Sequence, residues 1–165
     1  MKSLATPRAT SVRLAAAIYE SHYLTATDPA GGRALWLRHT ALKRPGDLAH
    51  PTVWLVWFDR LASSPSAFRA TSPEPLSDPG GAWARSAFGE LSPRGASGAI
   101  DGAAWSLTWE AHASELRYLP ARWMYDRSIP RSNGVALILS ATVSGTLTLD
   151  GEETVQLDGW DAIVG

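Results

Sequence analysis

The chain has 165 residues, no cysteine and a formal net charge of −1. This length fits one domain with a substantial core. The absence of cysteine excludes disulfides, thiolate metal sites and cysteine nucleophiles, and the balanced charge argues against a nucleic-acid-binding surface. No apolar run approaches the ~20 residues of a membrane-spanning helix. We therefore expect a soluble, cytoplasmic protein without a membrane span.

Tryptophan is the one residue type far outside its ordinary share, with eight copies in the chain. An indole buries a large area, so a high tryptophan content is typical of a well-filled core. It also stacks on flat or hydrophobic ligands, so the same content is compatible with a binding cavity. The composition alone leaves both interpretations open.

The first residues form a basic lead. Lys2, Arg8 and Arg13 precede the first acid, Glu20, and no apolar stretch is long enough for a signal-peptide core. We expect residues 1–17 to be a loose N-terminal lead and residues 18–165 to be a single β-domain.

A hairpin follows the lead. Ile18–Ala26 and Arg33–Leu42 are rich in aromatic and β-branched residues, which favour strands, and Asp28–Gly32 supplies turn residues between them. Thr52–Arg60 is the most apolar run. Both of its alternating faces are apolar, which predicts a strand covered on both sides.

Shorter strands are predicted in the middle of the chain, with proline and glycine between them. They are Ala67–Thr71, Ala84–Leu91, Gly95–Asp101 and Ala103–His112, with a further short segment at Arg122–Tyr125 inside an irregular stretch. The last of the regular strands alternates cleanly, with Trp105, Leu107 and Trp109 on one face.

The chain closes with a second hairpin from Gly134 to Gly165. Val143, Gly145, Leu147 and Leu149 share one face, and Asp150 and Gly151 provide the turn, with positive φ expected at the glycine. A hairpin needs a larger sheet to be stable. The final residues, Asp161–Gly165, carry no proline or lysine to blunt pairing, so we expect an open strand edge there and self-association, most simply as a homodimer.

No segment keeps a helical period over three turns. Many short strands separated by turn residues predict an all-β fold, an antiparallel barrel or sandwich with little helix.

Motifs for phosphate binding, dinucleotide binding and the common hydrolases are absent from the sequence. The four histidines show no metal-ligand spacing, although His22 and His39 lie on paired strands and can approach each other. We predict no metal site and no organic cofactor.

Charged residues within apolar strands are either solvated or buried with a partner. Glu20 and Arg38 are candidates for the second case, because their strands are adjacent and Trp36 shares the face of Arg38. In a hydrophobic pocket, burial would raise the pKa of such a carboxyl toward the range used in catalysis.

Several segments resemble one family. They are Glu20–Leu24, Arg33–Arg38 and Trp54–Asp59 near the start, and Ile129–Asn133, Val143–Leu147, Asp150–Gly151 and Leu157–Trp160 near the end. These sequence segments are similar to the first half of the lipocalin-like proteins grouped with hydroxyneurosporene synthase and tocopherol cyclase, and the resemblance covers most of the region from Tyr19 to Gly165.

The resemblance implies a calycin-like, lipocalin-like β-domain, followed in the family by a second domain. It also implies hydrophobic substrates, no metal or organic cofactor, and hydration, cyclisation or isomerisation chemistry. The second domain that would complete a pocket between domains is absent from this sequence, so catalysis by the first half alone is not expected. No catalytic residue is carried over.

Three functions are therefore weighed. The first is a binding domain for a hydrophobic, isoprenoid-like or lipid-like small molecule. Its site would be formed by Glu20, Trp36, Arg38, Trp57, Trp105 and Trp109. The second is a carbohydrate-binding sandwich that presents solvent-facing indoles to sugars. The third is a structural or interaction domain whose tryptophans only fill the core.

Overall fold

The computed structural model describes residues 18–76, 80–113, 115–118, 123, 135–150 and 153–165. The predicted lead at residues 1–17, most of the segment predicted at 122–125, and Gly151 lie outside the described residues. The prediction of a loose lead and that of a short strand at 122–125 therefore stay predictions.

Twelve strands are described. In chain order they are β1 (Ile18–Thr27), β2 (Arg33–Lys43), β3 (His50–Asp59), β4 (Ser66–Thr71), β5 (Ala84–Ser86), β6 (Gly89–Leu91), β7 (Gly95–Ile100), β8 (Ala103–Ala113), β9 (Leu116–Arg117), β10 (Val135–Ala136), β11 (Ile138–Leu149) and β12 (Glu153–Val164). The stretch predicted as one strand at Ala84–Leu91 is a tight hairpin of β5 and β6.

Ten of these strands form one sheet in the order β4-β3-β2-β1-β12-β11-β8-β7-β6-β5, and β9 pairs with β10 in a separate small sheet. Every neighbouring pair is antiparallel. The large sheet is strongly curled into a half-barrel, which brings β3 close to β5 and β4 close to β7. The predicted all-β antiparallel fold is confirmed. No helix in the described part of the chain is long and apolar enough to cross a membrane.

The hydrophobic core lies on the inner face of the curled sheet. Alternate residues of β2 and β3 point inward, and Leu35, Leu37, Val53 and Leu55 are almost fully buried. Strands β8, β11 and β12 complete this core with their own alternate residues. The period of two that predicted the strands therefore also identifies the buried face of each one.

The last strand is not an edge, which corrects the expectation drawn from its sequence. β12 pairs with β11 on one side and with β1 on the other, where Leu24 is opposite Val164 and Thr27 opposite Asp161. Gly165 and Tyr23 also exchange two backbone hydrogen bonds, of 2.6 and 2.9 Å. The open edges of the large sheet are β4 and β5. An open edge at Asp161–Gly165 therefore cannot cause self-association, and self-association itself stays a prediction.

Strand β3 is covered on one face only, which corrects a second expectation. Leu55 and Trp57 are buried in the core, whereas Phe58 is 42% exposed and Trp54 and Val56 are only partly buried. An apolar outer face here is therefore a surface feature and not a sign of a doubly covered strand.

Strand β11 contains an irregularity at Gly145, where its register with β12 shifts. Gly145 has a φ of 143°, and a Cβ at this position would lie 2.1 Å from the carbonyl oxygen of Ser106 on β8. Only glycine fits this close approach. At the turn that follows, Asp150 adopts positive φ, 51°. The positive φ expected at Gly151 stays a prediction, because that residue lies outside the described residues.

Candidate functional site

The six residues predicted to form one site do not converge. Trp57, Trp105 and Trp109 point to the inner face, where the first two are buried in the core and the third packs against it. Trp36 and Arg38 alternate with the buried residues Leu35 and Leu37 of β2 and so lie on the outer face. Glu20 shares the inner positions of β1 with Leu24. Two separate regions therefore replace the single predicted pocket.

Glu20 and Arg38 are separated by the sheet itself. In the register of β1 with β2, Glu20 is opposite Ala41, and Arg38 is opposite Tyr23. Residues directly opposite one another share a face, and the face alternates along each strand. Glu20 and Arg38 consequently lie on opposite faces, and the predicted approach of these two side chains is corrected.

The inner-face tryptophans are mainly packing elements. The rings of Trp57 and Trp160 are stacked with their centroids 5.8 Å apart and an interplanar angle of 20°. Trp109 donates its ring N–H to the carbonyl of Pro93 at 3.0 Å. Trp105 is 3% exposed, and its ring nitrogen has no hydrogen-bond partner within the described residues.

A pair of histidines occupies the inner face at the end of the half-barrel where β1 begins. His22 on β1 is directly opposite His39 on β2, so their Cβ atoms lie about 5 Å apart. His39 is 3% exposed. Nδ1 of His22 and Nε2 of His39 are buried, and neither has a hydrogen-bond partner among the residues described. The predicted approach of these two histidines is confirmed.

Both histidines are held in their neutral form near pH 7. Burial lowers the pKa of His22. Burial, together with the charge of His22, lowers the pKa of His39 to about 4. A neutral imidazole offers one N–H donor and one nitrogen acceptor. The pair therefore presents unpaired hydrogen-bonding atoms without a net charge.

Both histidines line a small cavity of about 30 Å³, which is room for about two water-sized groups. Its polar lining includes Glu20, His22 and His39, and its apolar lining includes Pro51, Leu76 and Trp83. The last two side chains belong to segments fixed by backbone hydrogen bonds, from Leu76 N to Ala49 O at 2.7 Å and from Trp83 N to Leu91 O at 2.8 Å. The curl of the sheet thus closes an apolar wall over the histidine pair.

The sequence did not indicate this wall. Trp83 and Leu76 lie in irregular segments beside weak strands, so no periodicity points to them. The tryptophan content was a signal for cavity-lining indoles, but it could not identify Trp83 as the one at the cavity.

This arrangement can bind a polar group but does not form a metal centre. No group of three or more metal-ligating side chains occurs in the part of the chain that the structure describes. Two neutral imidazoles beside one carboxyl can hold a hydroxyl or carbonyl group by hydrogen bonds.

The outer face of the same strands has a different chemistry. The guanidinium of Arg38 lies over the rings of Trp36 and Tyr19, 5.4 and 5.9 Å from their centroids, and that of Arg69 lies 4.5 Å from the centroid of Trp54. Arg38 also donates hydrogen bonds to Ser21 Oγ at 2.7 Å and to the Tyr19 hydroxyl at 2.6 Å. Aromatic and hydroxyl groups thus contact the guanidinium of Arg38, and the ring of Trp54 contacts that of Arg69.

Comparisons with known proteins add no identity to these two regions: no family model, no curated protein and no solved structure matches the chain.

Proposed function

We propose that the inner face of the half-barrel binds a hydrophobic small molecule, isoprenoid-like or lipid-like, whose single polar group lies against His22 and His39. The observation that carries this proposal is a pair of buried imidazole nitrogens without a described partner, on two histidines that line a cavity with an apolar wall. Leaving such atoms unpaired costs about 1–3 kcal/mol each. A ligand that supplies the missing hydrogen bonds recovers that cost.

The polar group that suits this site is neutral. The two histidines are uncharged near pH 7 because their pKa values are lowered. The Glu20 carboxyl lines the same cavity, and the guanidinium of Arg85, which also lines it, is already bound to the Glu90 carboxylate at 2.7 Å. A ligand carboxylate would therefore meet a group of like charge. A hydroxyl group is preferred, since it can both donate to one ring nitrogen and accept from the other.

The size of the cavity limits what is enclosed. About 30 Å³ accommodates the polar group and little more, so the apolar body of the ligand extends out past Leu76 and Trp83. Leu76 lies on an irregular segment and is only partly buried, so its displacement costs less than that of a side chain in a paired strand. The resemblance to lipocalin-like proteins supports the same class of ligand. We propose no reaction.

Thermal unfolding in the presence of ligands tests this function. A long-chain prenyl alcohol, a prenylated quinol and a fatty acid of equal length are compared. At about 100 times its dissociation constant a bound ligand adds about 2.7 kcal/mol to the unfolding free energy, and we expect this for the alcohol and the quinol but not for the acid.

The matched control uses two histidines. His39→Leu removes one ring from the cavity, whereas His112→Leu removes an exposed ring that bonds Thr142 Oγ1 at 2.6 Å on the outer face. The ligand-induced stabilisation should be lost in the first variant and kept in the second. Equal stabilisation of both variants, or none for the wild type with any of the three ligands, contradicts the proposal and favours a structural domain.

Carbohydrate binding is less well supported. Trp57, Trp83, Trp105 and Trp160 are buried in the core. The outward-facing rings of Trp36 and Trp54 are covered by guanidinium groups, which occupy the position where a sugar would stack.

A further inference from the structure

We propose that the outer face of β1–β4 is a docking surface for anionic lipid membranes. It is independent of the cavity, which lies on the other side of the sheet. Its basic and aromatic character comes from Arg38, Arg69, Trp36, Trp54 and Tyr19, all at outer positions of adjacent strands. The surface they form is called the arginine–tryptophan face below.

The arginine–tryptophan face is positively charged without internal neutralisation. The carboxylates within these four strands are Glu20 and Asp59, and both occupy inner positions. Arg38 and Arg69 form no ion pair with any described residue. Because Arg38 uses two N–H groups for Ser21 and Tyr19, its remaining N–H groups are available to an anion.

Exposed apolar side chains surround these charges. Tyr19 is 55%, Leu42 47% and Phe58 42% exposed, and all three occupy outer positions of β1, β2 and β3. Leu48 and Leu61 are exposed in the loops that flank β3. Aromatic rings, aliphatic groups and arginines together match the boundary between lipid headgroups and acyl chains.

The other half of the outer face has the opposite charge. Strands β8, β11 and β12 contain no lysine or arginine, and they expose Glu110, Asp158 and Asp161. An anionic surface therefore attracts one half of the sheet and repels the other, which gives the protein a defined orientation. The curled sheet is convex on this side, and a deformable headgroup layer accommodates a convex patch better than a second rigid sheet does.

Vesicle cosedimentation tests the proposal. The wild-type chain should bind vesicles that contain phosphatidylglycerol and not vesicles of phosphatidylcholine alone, and high salt should weaken binding. Each basic residue near an anionic surface contributes about 1 kcal/mol. The double variant Arg38→Gln/Arg69→Gln should therefore bind roughly 25-fold more weakly.

Two further variants sharpen the result. Arg94→Gln removes an exposed arginine outside the face and should bind vesicles like the wild type. Tyr19→Ser/Phe58→Ser removes apolar groups but no charge and should also weaken binding. Urea unfolding shows that each variant is folded before its binding is compared.

Two outcomes overturn the proposal. The first is equal vesicle binding by the wild type and the Arg38→Gln/Arg69→Gln variant, or no binding by the wild type at low salt. The second is a salt-sensitive dimer that forms without vesicles and dissociates in the double variant, with no vesicle binding. That result would mean that the arginine–tryptophan face binds the acidic half of the outer face of a second copy of the chain and not a membrane.

Discussion

Strands β1 to β4 present two faces with the same backbone and different chemistry. The inner face buries neutral histidines among leucines and tryptophans, and the outer face fixes arginines on tryptophans that stay partly exposed. Tryptophan serves both faces, but in different ways. On the inner face it contributes through burial, and on the outer face it orders a charge. Residue type alone therefore does not predict the energetic role, and the position of the residue in the alternation does.

The largest expected effect is the difference in unfolding free energy between a variant that lacks an inner-face tryptophan and one that lacks an outer-face tryptophan. Trp57 is 5% exposed and stacks on Trp160, so Trp57→Ala should lower the unfolding free energy by about 3–5 kcal/mol through the cavity it leaves. Trp54, three residues earlier on the same strand, is only partly buried, and Trp54→Ala should cost about 1 kcal/mol. Urea unfolding measures both. Equal losses would mean that the outer face is covered by another part of the protein.

The sequence predicts much of this difference, because strand alternation is local. The alternation of β2 correctly places Trp36 with Arg38. Whether residues of two neighbouring strands lie on the same face of the sheet depends instead on the register of the two strands. A register shift of one residue moves every side chain of a strand to the other face. Glu20 and Arg38 were paired for that reason, although the register fixed by the turn at Asp28–Gly32 puts them on opposite faces.

Other features depend on contacts between distant parts of the chain. The pairing of β1 with β12 joins residues about 140 positions apart, as with Leu24 and Val164, and nothing local in Asp161–Gly165 indicates that partner. The cavity likewise requires Trp83 to meet the histidine pair, which only the curl of the sheet brings about. Composition suggested indoles at a cavity but could not select among the eight.

The second contrast concerns histidines and pH. The pKa of His39 is lowered to about 4 in the folded protein by burial and by His22, whereas an unfolded histidine titrates near 6.5. The unfolded state therefore binds more protons between these values. Stability that is present above pH 6.5 is lost as the pH falls toward 4.

For His39 alone the expected loss between pH 7 and 4.5 is about 2–3 kcal/mol. In His39→Leu this part of the pH dependence should disappear, while His112→Leu should retain it. The unfolding free energy of each protein at the two pH values gives the result. A wild-type pH dependence that is unchanged by His39→Leu would show that the imidazole is not buried in solution.

The smallest expected effect is the coupling between an arginine and its tryptophan on the outer face. The guanidinium of Arg69 lies 4.5 Å from the ring centroid of Trp54, and such pairs contribute about 0.5–1 kcal/mol at exposed sites. A double-mutant cycle with Trp54→Leu and Arg69→Met isolates this value from the loss of packing. The same cycle between Trp54 and Arg94, which makes no described contact with it, should give a coupling near zero. If the Trp54–Arg69 coupling is also near zero, the indole does not order the guanidinium. Binding of an anion to this face would then be opposed by the full loss of conformational entropy of the arginine side chain. A measurable coupling instead means that the guanidinium of Arg69 is already positioned before a partner binds, which distinguishes this face from an ordinary solvated surface.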